Sequence, residues 1–365
     1  MHATLIQRTL DLAVDIQQIP APTFAEQQRA AFILEQFLRA GLEDVCTDAT
    51  GNVYARIPGG GNARPLIISA HIDTVFLEGT NLAINRTEDK IFGPGIGDNS
   101  LGVAGLLGLV WALREKQVSL PGDLWLVANV CEEGLGDLAG MRAVVDRFGG
   151  RVSAYIVLEG MALGQIYHRG LGVQRYRIET QTTGGHSWVD YGRPSAIHEL
   201  ADLIRQLTDM DLPEQPRTTL NVGVISGGTT INTIAARAHL ELDLRSEGTD
   251  ELSDLTQRVE ASVAKANRPD VAVTARVIGS RPAGKLAPNH SLVKLARKAL
   301  KQVGIDAHLG VGSTDANIPL SLGYPAICIG LTVGGGAHTV DEYILTRPLE
   351  RGLQQLQMIV EEAFR

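Results

Sequence analysis

Residues 122–137 read "GDLWLVANVCEEGLGD". The segment "DLWLVA" is apolar and short, the pattern of a buried strand. It runs with little interruption into Glu132 and Glu133, which Gly134 follows. Charged side chains are almost never fully buried unless they are paired or bound to a metal. In open α/β sheets function gathers beyond the carboxyl ends of the strands. A buried strand that ends on two adjacent carboxylates therefore points to that architecture. Neighbouring residues of an extended chain face opposite sides, so the two glutamates are expected to have different tasks.

Working outward, the same style recurs on both sides. "RPLIISAH" (64–71), "SAYIVLEG" (153–160) and "YPAICIGL" (324–331) are further short apolar runs. Between them lie helical patterns at Leu5–Ile16, Glu26–Ala40 and 136–149, and a stretch at 101–116 that is apolar nearly all round and therefore internal. This alternation predicts a mostly parallel sheet with helices on both faces. Near Arg169 the style changes. A half-exposed strand at 173–181, a helix at 193–210, strands at 218–226 and 233–246, a helix at 250–267 and a strand at 269–279 follow one another. That order is β-α-β-β-α-β, a ferredoxin-like α+β unit. After "GSRPAG" the first style resumes, with a helix at 290–304 and a C-terminal helix from Leu349. We expect a domain at 169–281 inserted into an α/β domain formed by 1–168 and 282–365.

Bulk composition narrows the functional classes. A chain of 365 residues with 44% hydrophobic content supports two cored domains. The net charge of -8 argues against nucleic acid, which would want a basic stripe. The N-terminal "MHATLIQRTLDLAVDIQQIP" is an amphipathic helix rather than a signal peptide. No uninterrupted apolar run reaches membrane-spanning length, so no membrane partner is expected. The three cysteines form no CxxC pair, which excludes a thiolate zinc site and a disulfide framework. Together these predict a soluble cytoplasmic protein.

The strand ends deliver His and carboxylates: His71 and Asp73, then Glu132 and Glu133, then Glu159, with His338 after the last run. Asp98 lies in the glycine-rich "GPGIGDNSLG" (93–102). Two imidazoles with several carboxylates suit zinc or a similar divalent ion. One tetrahedral site would not use so many, whereas two ions sharing Asp98 would. Asp73, two residues after His71, points the same way on a strand and can accept the other ring N–H of that histidine. Apart from His186, the remaining histidines, His2, His168, His198, His239, His290 and His308, lack such company and read as ordinary.

The motifs "SAHIDTV", "GPGIGDNSLGVAG", "EEGLGD", "VLEG" and "GGGAHTVDE", with "GGHS" and "INTIAARAHLELDLR" in the inserted part, occur in one order from about residue 60 onward. In this the chain resembles the co-catalytic dinuclear zinc peptidases and amidohydrolases, which include succinyl-diaminopimelate desuccinylase, acetylornithine deacetylase, aminoacylase, glutamate carboxypeptidase and peptidase T. The resemblance implies His71 and Glu159 on one metal, Glu133 and His338 on the other, Asp98 bridging, and Glu132 as general base. It implies zinc, with cobalt or manganese as alternatives, and a short peptide or N-acyl amino acid as substrate. It also makes the inserted domain a lid through which the chain forms a homodimer. His186 would reach the partner's active site to steady the oxyanion, while Asn232 and Arg245 would contact the substrate's carbonyl and carboxylate. The sequence departs from the pattern at Ala235, where relatives often carry Pro. Glu159, where peptidase T and glutamate carboxypeptidase relatives have Asp, leans toward the deacylases. The alternative, a non-catalytic metal-binding scaffold, sits poorly with an intact set of five ligands plus Glu132.

Overall fold

Four parallel strands lie side by side in the order Leu124–Asn129, Leu66–His71, Ala154–Glu159, Ala326–Gly330. The computed structural model that contains them describes residues 3–364. Every residue of Leu66–His71 is buried, as a parallel strand covered on both faces requires. The side chains alternate between two cores. Ile67, Val127, Tyr155 and Val157 join Met141, Val144 and Phe148 of the helix Ala139–Phe148 on one face. Leu66, Ile68, Leu126, Ile156 and Leu158 meet the helices Ala3–Gln17, Leu101–Glu115 and Leu349–Glu362 on the other. The stretch Ile96–Glu115 is long and apolar enough to cross a membrane by length and composition, but 89% of its tested window is buried in this core.

Antiparallel strands flank this centre. Val53–Ile57 pairs with Leu124–Asn129, and Glu43–Thr47 lies outside it. Gln165–Gly170 runs antiparallel to Ala326–Gly330. These strands escape a search for apolar runs because edge strands carry polar residues that discourage further pairing; Glu43 and Asp44 do so here. A second, small sheet matters more for function. Lys90–Phe92 pairs with Tyr343–Leu345, which pairs with Gly334–Gly335. It fastens the loop that carries His338 beside the loop that carries Asp98.

The chain divides into two units, one holding the chain up to Gly170 and from Gly284 onward, the other being Leu171–Ala283. The expected limits, 169 and 281, fall two residues earlier. Within Leu171–Ala283 four antiparallel strands stand in the order Thr218–Gly227, Arg237–Ser246, Gly172–Thr182, Val271–Arg281. The helices Ala196–Thr208 and Thr249–Ala266 supply Leu200, Leu203, Leu255 and Val259 to the same core as the sheet. The β-α-β-β-α-β order is as expected, but the strand read at 233–246 is two. Thr233–Ile234 leaves the sheet to pair with Gly185–His186.

Candidate active site

The four parallel strands end level. His71 pairs with Asn129, and Glu159 pairs with Gly330. Counting on from Ser69 opposite Val157 puts His71 and Glu159 in the same row. The strand register alone thus brings one imidazole and one carboxylate together: His71 Nε2 lies 3.7 Å from Glu159 Oε2. The loops complete the set. Asp98 Oδ1 is 3.2 Å from His71 Nε2, and Asp98 Oδ2 is 3.0 Å from His338 Nε2. His338 Nε2 is also 3.1 Å from Glu133 Oε1. Ligand atoms of His71, Asp98 and Glu133 all lie within 4.8 Å of one another.

Behind these groups stands a layer of fully used polar side chains. The Glu132 and Glu133 N–H groups donate to Asp73 Oδ1 and Oδ2, each at 2.9 Å, and Thr23 Oγ1 donates to Oδ2 at 2.9 Å. Asp73 was expected to receive the His71 ring N–H through its carboxylate. Its backbone carbonyl is the nearer group, 3.1 Å from Nδ1 against 3.5 Å for Oδ1. The carboxylate also anchors the turn that displays the two glutamates. The Asn99 side chain donates to the Leu158 carbonyl and accepts from the Gly160 N–H, both at 2.8 Å, tying the Asp98 loop to the strand end that bears Glu159. Glu342, fully buried, accepts the N–H groups of Gly95, Gly97 and Asp98 at 3.2, 2.6 and 2.8 Å. Arg29 looks like a surface residue of an amphipathic helix, yet it is buried and donates to the Ile72 carbonyl at 2.8 Å. Asn99 and Glu342 stood inside recognised motifs, but nothing in their residue types separated them from solvent-facing loop residues.

The electrostatics call for added positive charge. Seven carboxylates converge (Asp73, Asp98, Glu132, Glu133, Glu159, Asp315, Glu342), with Arg29 the buried guanidinium beside Asp73. Burial pushes Glu159 up to about 7, with His71 opposing and Asp98 and Asp315 adding to the rise. Burial likewise raises Glu342 to about 7. Burial favours neutral His71, but Asp73, Asp98 and Glu159 outweigh it and hold its pKa well above the usual range. His338, hydrogen-bonded to Asp98 and Glu133, is raised to about 10. The donors also have the right tautomer. A carbonyl oxygen only accepts, so His71 carries its Nδ1 proton toward Asp73 and leaves Nε2 for a cation. Imidazole nitrogens and carboxylates around a strong negative field fit divalent metal ions.

The other expected residues lie in the inserted unit. His186 pairs with Thr233, and Ser187 N–H donates to the Asn232 carbonyl at 3.0 Å, so His186 and Asn232 are neighbours. The N–H groups of Trp188 and Val189 donate to His186 Nδ1 at 3.2 and 3.4 Å, which places the proton of the neutral ring on Nε2. Arg245 donates from Nε to Asp243 Oδ2 at 2.6 Å. It lies eight residues along its strand from Arg237, about 26 Å at the usual strand rise. Of the histidines read as ordinary, His168 sits 2.6 Å from the Leu286 carbonyl and His290 caps the helix Ser291–Gln302. His2 lies outside the described residues.

The sequence profile of Peptidase family M20/M25/M40 matches residues 67–362. Acetylornithine deacetylase of Klebsiella pneumoniae (strain 342) is 27% identical over 320 residues, which cover 82% of this chain and 81% of that protein. Among solved structures, aminopeptidase PepT from Bacillus cereus ATCC 10987 gives a TM-score of 0.82 at 22% identity and 99% coverage of both chains. A dinuclear metal binding peptidase of the M20 family from Bacillus subtilis gives 0.74 at 17% identity, covering 100% of this chain and 99% of that one. At these identities the two structures speak for the fold alone. The profile, by contrast, takes in every strand-end group from His71 to His338, and the chain belongs to Peptidase family M20/M25/M40, a family of hydrolytic enzymes.

Proposed function

We propose that the protein cleaves the amide bond of a short peptide or an N-acyl amino acid, using two divalent ions. The carrying observation is the divided carboxylate of Asp98, with one oxygen toward His71 and the other toward His338. It supports two ligand sets that share one bridge: His71 with Glu159, and His338 with Glu133. Zinc suits these donors, and cobalt or manganese accept them too. Bound there, the ions would lower the pKa of a water toward neutrality and polarise the scissile carbonyl.

Glu132 takes the water's proton and passes it to the leaving amine. Its backbone is pinned by Asp73, and it is 6% exposed, so its carboxylate is kept from bulk water. His186, with its proton on Nε2, donates to the developing oxyanion, a contribution of about 3–4 kcal/mol in comparable sites. Asn232 assists beside it, and Arg245 leaves Asp243 to receive the substrate's carboxylate. Glu159 and the acetylornithine deacetylase relative favour the deacylase side of the family.

Arg245 stands about 26 Å along its strand from Arg237, the end that follows Asn232 in the chain. This supports a homodimer in which the inserted unit is the lid, one chain supplying Arg245 and its partner His186 and Asn232. Trp188, Val189, Tyr191 and Ile231, beside His186 and Asn232, are 77% exposed or more, an apolar patch that favours a protein partner. All three cysteines are free, which suits a reducing cytoplasm.

The test is turnover of a panel of dipeptides and N-acyl amino acids by metal-loaded protein. Hydrolysis that chelation abolishes and zinc restores is expected. Stoichiometric metal without hydrolysis of any member would favour a scaffold. Mixed dimers of His186→Ala and Glu132→Gln chains should recover partial activity. No recovery in confirmed mixed dimers would refute the shared site.

A further inference from the structure

We infer that Phe24 selects substrates with an apolar side chain or acyl group next to the scissile amide; this rests on the amide-hydrolase reading above. Phe24 is 62% exposed, although a ring of that size ordinarily seeks the core. Its φ of 77° lies in the left-handed region, where a bulky residue is an outlier and strain tends to accompany function. The strain is maintained from both sides by the machinery of the site. Thr23 Oγ1 donates to Asp73 Oδ2 at 2.9 Å, and Glu26 Oε1 accepts the Cys131 N–H at 3.2 Å, one residue before Glu132. The Phe24 backbone itself lies in hydrogen-bond reach of the Cys131 thiol. The chain around Phe24 is thus bolted to the two strand ends that carry Asp73 and Glu132, while its ring is left in solvent.

A second observation points the same way. Eight other large apolar side chains of this unit are exposed, and four of them flank the site on three further segments. Val75 and Leu77 follow Asp73, Leu135 follows Glu133, and Val340 follows His338, with exposures of 37%, 78%, 56% and 63%. Two residues of chain span at most about 7 Å and four about 14 Å, so all four emerge close to a ligand or its anchor. The charges among them are negative: Glu78 and Asp341 are both exposed. A rim that is apolar and acidic attracts a neutral apolar group and repels a carboxylate side chain.

The experiment measures kcat/KM of the metal-loaded protein for substrates that differ only in Gly, Leu or Glu on one side of the amide, tried on each side in turn. Wild type should prefer Leu to Gly by tenfold or more on one side, and should disfavour Glu. Phe24→Ala should shrink the Leu:Gly ratio about tenfold or more, the size expected for lost apolar pocket contacts. Leu135→Ser, on a separate loop, should shift the ratio in the same direction and serves if Phe24→Ala fails to fold. A ratio unchanged within about twofold in both variants, whatever happens to absolute rates, overturns the inference and makes the rim a surface for closure. A wild-type preference for Glu overturns it as well. If wild type hydrolyses no member, the amide-hydrolase reading fails and takes this inference with it; turnover without an apolar preference defeats the inference alone.

Discussion

The carboxylate of Glu342 accepts the backbone N–H of Asp98 at 2.8 Å, across 244 residues of sequence. Two more N–H groups of the same loop, from Gly95 and Gly97, converge on it. A buried carboxyl group thereby shapes the loop whose side chain lies between the two histidines. An amide in its place would offer one acceptor oxygen and one unwelcome donor. Glu342→Gln should weaken metal binding about 10–100-fold, as loss of an outer-shell partner does. Metal titration of the apoprotein measures this; unchanged affinity would show that the loop keeps its shape without the carboxylate.

The adjacent glutamates should separate in two assays. Glu132→Gln should retain both metals and lose turnover by about 10²–10⁴-fold, the usual scale for general-base removal. Glu133→Gln should lose occupancy of one metal, read by elemental analysis after dialysis. The opposite pattern would exchange their roles.

Asn99 makes a prediction about stability. Its side chain satisfies the Leu158 carbonyl and the Gly160 N–H in a position that is 1% exposed. Asn99→Ala leaves both buried and unpaired, at about 1–3 kcal/mol for each unsatisfied group. Denaturant unfolding of the metal-free protein should show a loss of at least about 2 kcal/mol. A change under 0.5 kcal/mol, roughly the surface norm, would mean that water replaces the side chain.

Metal binding should release protons. His338 is raised to about 10 by Asp98 and Glu133, and His71 is held well above its usual value despite burial. At pH 7.5, below the value for His338, that metal-free ring carries a proton on Nε2, and a metal needs that lone pair. At least about one proton should leave per chain, measured calorimetrically in buffers of different ionisation enthalpy. Affinity should accordingly fall as pH drops. Binding without proton release would remove His338 from the ligand set.

Gly160 tests the close approach of two segments. A Cβ there would stand 2.2 Å from the Gly97 carbonyl oxygen, a backbone atom with no room to yield. Gly160→Ala should therefore force Glu159 and the Asp98 loop apart and lower metal affinity at least as much as Glu342→Gln. An affinity equal to wild type would show that the loop can shift without cost.

How the site is divided between sequence and tertiary structure follows from the range of the forces involved. Strand ends are local: an apolar run must be buried, and the first charged residue after it marks where the sheet stops, so His71, Glu132, Glu133 and Glu159 are visible one segment at a time. The β-α-β-β-α-β order of the inserted unit is legible for the same reason, since periodicity needs only neighbours along the chain. What no local pattern contains is which loop meets which. The pairing of Lys90–Phe92 with Tyr343–Leu345 brings Asp98 to His338, and both strands are three residues long. The roles of Glu342, Asn99 and Arg29 arise only when distant backbone groups lose water together and need partners, and the ion pair of Arg245 with Asp243 depends on two side chains sharing one face of a folded strand. The sequence alone determined which donors were available and on which strand ends they stood. Only the tertiary structure decided that Asp98 would face both histidines at once, because that arrangement needs a contact between Asp98 and His338, 240 residues apart in the chain.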